Sequence, residues 1–195
     1  MLYRNFGNSD LKTSVIGFGG WPMGRGHYGS FDEGEVVRSI HAAIDAGVTL
    51  FDTAAVYGWG EGEKLLGQAL KGKRDKVVLV SKGGLFWDAP GEPSQRNSSR
   101  EHLANGLEES LRNLQTDYLD LFLIHWPDES RPFTEPMEAF SELREQGKIR
   151  FGGVSNFSVA QMGTRKPEEI EHNVAAVDWV MTESEREEIR SVVAG

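Results

Sequence analysis

Apolar and polar positions along this chain follow two alternating rhythms. Short continuous apolar runs, VTLF ending at Phe51, VVLV ending at Val80, LDLFLI ending at Ile124 and RFGGV ending at Val154, read as strands buried on both faces. Between them lie longer segments with apolar residues at helical spacing. In the first, Val36, Val37, Ile40, Ala43 and Ile44 form one stripe, opened by a capping box of Asp32 and Glu35 and stopped by Gly47. The second, GWGEGEKLLGQALKG, is opened by glycines and closed at Gly72. A third carries Leu103, Leu107, Leu111 and Leu114 behind a capping box of Ser98 and Glu101. In the fourth, Thr134 caps MEAFSELREQ up to Gly147. Ahead of these, LYRNF and LKTSVI flank the turn-rich Gly7-Asn8-Ser9-Asp10 and predict a short hairpin, and Val15-Ile16-Gly17-Phe18 enters the first core strand. The sum is five strand-plus-helix passes behind an N-terminal β-hairpin. This is the rhythm of a parallel (β/α) barrel of the TIM type, left incomplete because a closed eight-fold barrel takes about 250 residues.

Each strand run ends on a residue able to do chemistry: Asp52 after VTLF, Lys82 after VVLVS, His125 after LDLFLI, and Ser155-Asn156 after RFGGV. In a parallel barrel such residues collect at the carboxyl ends of the strands. Tyr57 follows Asp52 in a small-residue turn, FDTAAVYG. Taken singly, each has an ordinary reading: Asp52 as a turn or helix cap, Tyr57 as a packing residue, Lys82 as a solvated surface lysine, His125 as an interior histidine. The glycines of Gly19-Gly20-Trp21-Pro22 suit either a close backbone approach to a ligand or plain turn geometry. The polar stretch from Gly83 to Asn97 is long for a barrel loop and is placed to shape a substrate site.

Composition narrows the field. The 195 residues are 38% hydrophobic and 26% charged, as in an ordinary folded domain. A net charge of −9 and a pI near 5.1 make nucleic acid and anionic membranes poor partners, so an anionic ligand needs a local basic cluster. The lack of cysteine removes disulfides, thiolate metal sites and thiol catalysis. No apolar run approaches the roughly 18 residues of a membrane span, and MLYRNFGNSD lacks a signal peptide's apolar core, so the expected location is the cytoplasm.

The motifs FDTAAVYG, VSKGG, LIHWPD and VSNFS, in this order and at these strand ends, resemble the aldo-keto reductase family in its bacterial-type branch. The resemblance runs from about residue 3 to 162 and resumes from 163 to the end. It implies an NADPH-dependent oxidoreductase that reduces an aldehyde or ketone to an alcohol by hydride transfer. Protonating the developing alkoxide needs an acid, and a tyrosine, with a reference pKa of ~10, serves only where a neighbouring cation favours its anion. This makes Tyr57 the general acid, Lys82 the cation beside it, Asp52 the partner that keeps the lysine charged and aimed, and His125 the donor that orients the carbonyl.

For the cofactor, the resemblance places Gly20, Trp21 and Asp52 near the nicotinamide, and Ser155 and Asn156 on its carboxamide. It places Gly163, Arg165, Glu169 and Asn173 on the 2′-phosphate and adenine. An arginine ahead of a helix opened by Pro167 is an anion site on its own physics, although without the family a solvated basic turn before an acidic helix is the favoured reading. Neither Gly17-x-Gly19 nor Gly58-x-Gly60 completes a dinucleotide fingerprint.

The departure lies between Met162 and Gly163, where the family pattern has its sixth to eighth strands with their helices, about three units of roughly 30 residues each. A deletion, an edited sequence and completion by a second chain all stay open. The expected organisation is a single domain over 1–195, with five βα units in 1–162 and a cofactor-phosphate segment with helices in 163–195. Exposed strand edges would invite self-association. The alternative function is a catalytically impaired remnant acting as a binding or regulatory protein.

Overall fold

A computed structural model describes residues 1–6, 9–24 and 30–157. The chain divides into two units, Met1–Phe157 and Ser158–Gly195, and the described residues all belong to the first. Gly163, Arg165, Glu169 and Asn173 therefore lie outside the described residues, as do the helices expected from Pro167 onward.

The N-terminal hairpin pairs β1 (Tyr3–Asn5) with β2 (Lys12–Ser14) antiparallel. Five strands then form one parallel sheet in chain order: β3 (Gly17–Gly19), β4 (Leu50–Asp52), β5 (Val78–Gly83), β8 (Leu119–Ile124) and β9 (Ile149–Val154). Four helices connect them: α1 (Glu33–Asp45), α2 (Glu61–Ala69), α3 (Arg100–Leu114) and α4 (Thr134–Glu145). This is the expected parallel βα sheet, and among the described residues it is an open one.

Register fixes which side chains share a face, because paired residues of a sheet point the same way and successive ones point oppositely. Phe51, Leu79, Phe122 and Ile124 stand on the helix side and join a core with Ile40, Leu66, Leu103, Leu107, Phe140 and others. Asp52, Val80, Lys82, Leu121 and Leu123 stand on the opposite side. Gly152 marks tight packing of α4 on β9, since a Cβ there would come within 2.4 Å of the Phe140 ring.

Two helix starts differ from the sequence reading. The α3 cap is Ser99, whose hydroxyl accepts from His102 N, and not Ser98. Ser98 is buried, with its backbone N–H on Asp128 Oδ2 at 2.9 Å, and stands one residue ahead of the cap. In α4, Thr134 is the first helical residue, and Phe133 occupies the cap in helical conformation without a side-chain cap bond. Glu135 N bonds Pro132 O, so winding already begins at the proline and leaves Thr134 inside the first turn. The Asp32 cap of α1 is as expected, accepting from Glu35 N at 2.7 Å. The long 83–97 loop contains an unanticipated two-residue ladder, β6 (Leu85–Phe86) with β7 (Gln95–Arg96).

Candidate active site

The carboxyl edge of the parallel sheet gathers Asp52 from the end of β4, Lys82 from β5, His125 just beyond β8, and Tyr57 from the turn leading into α2. Lys82 and Asp52 meet because both stand on the face turned away from the helices. Lys82 is 7% exposed, and its ammonium donates to Asp52 Oδ2 at 2.7 Å and to the Thr53 carbonyl at 2.9 Å. The Tyr57 hydroxyl lies 3.4 Å from the same nitrogen, longer than a tight hydrogen bond but within reach of one. The ammonium thus sits among a carboxylate, a carbonyl and a phenol. The charge of a nearly buried lysine is tolerated because its donors are satisfied.

Tyr57 is aimed by a turn with little freedom. Tyr57 N bonds Ala54 O, Gly60 N bonds Ala55 O, and Gly62 N bonds Tyr57 O. Gly58 adopts φ +67, and a Cβ there would lie 2.9 Å from Gly24 Cα; a Cβ on Gly24 would lie 2.8 Å from Gly58 N. Only two glycines let the Tyr57 turn press on the short 3-10 turn Trp21–Gly24.

The His125 imidazole meets the Tyr57 ring edge-on, with centroids 5.7 Å apart. Burial, helped by the nearby Lys82 charge, lowers its pKa from the ordinary 6.5 to about 4, so the ring is neutral at physiological pH. A neutral imidazole carries one N–H and can donate it to a carbonyl oxygen without competing for protons. Its Nδ1 is buried with no hydrogen-bond partner among the described residues.

At the end of β9, Asn156 adopts φ +61 and its amide N–H donates to the His125 carbonyl at 2.8 Å and to Ser155 Oγ at 3.2 Å. The bond to the His125 carbonyl ties this strand end to the histidine. Gly20 has a packing reason of its own. Its N–H bonds Asp52 O at 2.7 Å, and a Cβ would come 2.8 Å from that oxygen and 3.1 Å from Thr53 Oγ1. Trp21, next in the chain, is 52% exposed at the same edge.

Several contributors escaped the sequence reading. The Thr53 carbonyl is a ligand of the ammonium that no side-chain pattern reveals. Glu63 of α2 is fully buried, accepting from Ser81 Oγ at 2.7 Å and from Asn113 Nδ2 at 3.1 Å. Burial raises its pKa, and those hydrogen bonds offset only part of the effect. Ser81, a lone hydroxyl in an otherwise apolar strand, was the available signal, since it faces the helices while Lys82 faces the site.

Residues 15–163 match the model of the aldo/keto reductase family. Aldo-keto reductase YhdN of Bacillus subtilis (strain 168) is 43% identical over 166 residues, which are 84% of this chain and 50% of YhdN. Among solved structures, the glycerol dehydrogenase AKR11B4 from Gluconobacter oxydans superposes with a TM-score of 0.74 at 39% identity, covering 82% of this chain and 50% of that one. An aldo/keto reductase from Klebsiella pneumoniae in complex with NADP and acetate gives 0.66 at 38% identity, over 77% of this chain and 48% of that one. The chain spans about half the length of the relatives it matches. With the matched span covering most of its residues, the chain belongs to the aldo/keto reductase family.

Proposed function

We propose that this protein is an NADPH-dependent reductase of aldehydes or ketones, with Tyr57 as the general acid. The observation that carries the reading is the single ammonium of Lys82 held between the Asp52 carboxylate at 2.7 Å and the Tyr57 hydroxyl at 3.4 Å, with a neutral His125 against the tyrosine ring. Bound NADPH supplies a hydride to the carbonyl carbon. The residues of this chain manage the charge that appears on oxygen. His125 donates a hydrogen bond to the carbonyl oxygen and orients it. Tyr57 gives that oxygen its proton, and the Lys82 ammonium holds the phenolate left behind until solvent returns a proton. Asp52 holds the ammonium through its 2.7 Å hydrogen bond and keeps it aimed at the tyrosine.

The cofactor fit rests on the donor set at the end of β9. A nicotinamide carboxamide offers one acceptor and one N–H₂ donor, and the Ser155 hydroxyl with the Asn156 amide oxygen complements both. The edge of the exposed Trp21 indole suits a flat ring system beside them. The preference for the phosphorylated dinucleotide follows the family resemblance through Arg165, together with the relative crystallised with NADP.

Carbonyl-dependent loss of NADPH absorbance tests the reading. Tyr57→Phe should lower kcat by about 10²- to 10⁴-fold, the usual worth of a positioned acid, while leaving NADPH affinity by calorimetry within a few-fold. Unchanged turnover in Tyr57→Phe would remove the tyrosine from its role.

A further inference from the structure

The loop that begins at His125 is held by a segment the proposed chemistry does not use. Three consecutive residues after the histidine are gripped by two alternate residues on the run from β7 into α3. The Arg96 guanidinium stands 5.5 Å over the Trp126 ring, and its Nη1 donates to the Pro127 carbonyl at 3.0 Å. Two residues on, Ser98 N donates to Asp128 Oδ2 at 2.9 Å. Asp128 is fastened further by Ser130, whose N–H and hydroxyl donate at 3.1 and 2.6 Å, and by Arg131 at 3.6 Å. Burial works against the charge of this carboxylate, yet the bonds from Ser130 and Ser98 overcome it and hold the group ionised.

Arg96 itself is not left to swing. It pairs with Leu85 in the β6–β7 ladder, and Asn97 N bonds Gly84 O at 3.0 Å. That ladder springs from Gly84, φ +83, only two residues after Lys82. His125 is continuous with Trp126 and bonds Gly83 O through its own N–H at 2.9 Å. The hairpin therefore bridges the strand end that carries the lysine to the loop that carries the histidine. Trp126, 40% exposed, stands beside the histidine at the open edge of the sheet.

We propose that Arg96 is a positioning residue for substrate selection: by stacking on Trp126 and bonding Pro127, it fixes the indole wall beside His125 and so sets the bulk of carbonyl compound that the site accepts. This rests on the carbonyl-reductase reading above. The 83–97 loop then shapes the site through the clamp it applies to the next loop. A planar guanidinium suits the task because it stacks and donates at once, which a lysine cannot do with the same geometry.

The full chain is tested in two ways. Steady-state kinetics with NADPH compare propanal, which is too small to touch a displaced indole, with 4-nitrobenzaldehyde, which needs a fixed aromatic wall. In Arg96→Met the ratio of KM for 4-nitrobenzaldehyde to KM for propanal should rise about tenfold, with no matching change in the ratio of kcat values, and Arg96→Lys should recover only part of the shift. Separately, acrylamide quenching of Trp126 is isolated by subtracting the same variant with Trp126→Phe, and should increase about twofold in Arg96→Met as the indole is released. Unchanged quenching overturns the clamp, and increased quenching with an unchanged KM ratio overturns its role in selection. A wild-type chain without turnover would sink the reductase reading alone, and the quenching result would then decide the clamp.

Discussion

The parallel sheet carries a buried ion pair at each of its two edges, and the two are built to opposite ends. At the amino edge, the Asp120 side chain is 3% exposed and is surrounded by Arg74 at 2.8 Å, Arg150 at 2.8 Å and the Leu79 N–H at 2.9 Å. Arg74 also bonds the Val77 and Tyr118 carbonyls and the Thr116 hydroxyl, and lies over the Tyr118 ring. Every partner there is permanent, and the cluster staples the start of β5 to β8 and β9. At the carboxyl edge, Lys82 has comparable burial and an equally short bond to Asp52, but Asp52 is 38% exposed, and beside the Thr53 carbonyl the ammonium's other neighbour is the Tyr57 phenol. Proximity and burial alone do not separate structure from chemistry here. The difference is whether the charge is enclosed by fixed structural partners or lies beside a phenol at an open edge of the sheet.

Breaking each pair should therefore have opposite readouts. Lys82→Met should lower kcat by on the order of 10²-fold or more, because the phenolate left by proton transfer loses its counter-charge. Its unfolding free energy should fall by only about 1 kcal/mol, since the half-exposed Asp52 can return to water. Asp120→Ala should do the reverse. It leaves the buried Leu79 N–H without its acceptor and takes the carboxylate away from Arg74 and Arg150, and about 3 kcal/mol of stability should be lost in denaturant titrations. Turnover per folded molecule should stay within a few-fold of wild type. A large kinetic defect in folded Asp120→Ala, or a collapse in stability for Lys82→Met, would erase the distinction between the two edges.

Legibility in the sequence follows the same division. The carboxyl edge was readable because each apolar run stops at a polar residue, and the pleat then turns Asp52 and Lys82 to the same face. The parallel sheet in chain order was readable because the strand runs are continuous and the intervening stripes keep helical spacing. The amino-edge staple was invisible: Arg74, Asp120 and Arg150 are far apart in sequence, and Asp120 sits inside LDLFLI, where it looks like an interruption. The caps show where local patterns fail. Asp32 obeyed its motif, whereas at α3 the cap moved on one residue to Ser99, with Ser98 buried and its N–H held by Asp128, 30 residues away. The β6–β7 ladder was hidden for a related reason. Two pairs of residues carry no periodicity, and Arg96 declares its partner only when Trp126 comes beside it.

The smallest expected effects are titrations, and they set two buried groups against each other on opposite sides of β5. His125, at the site, has a pKa lowered from 6.5 to about 4 by burial and by Lys82. The unfolded chain binds that proton first, so the stability His125 contributes is complete above pH 6.5 and drains away as pH falls toward about 4. Glu63, behind the sheet, has a pKa raised above 4.5 by burial, and here the folded chain holds the proton longer. Its contribution is complete below pH 4.5 and is lost as pH rises through the folded value. Across the shared window the two slopes oppose, which flattens the wild-type curve. His125→Gln should remove the acid-side loss, so that stability relative to wild type climbs as pH drops from 6.5 to 4.5. Glu63→Gln keeps an amide in the bonds to Ser81 and Asn113 and should tilt the difference the other way, gaining on wild type as pH rises. Urea midpoints at half-unit intervals read both differences directly. Parallel curves for wild type and His125→Gln would mean that the imidazole is not held neutral by its burial, and would remove the basis for the proposal that it donates its single N–H to a substrate carbonyl.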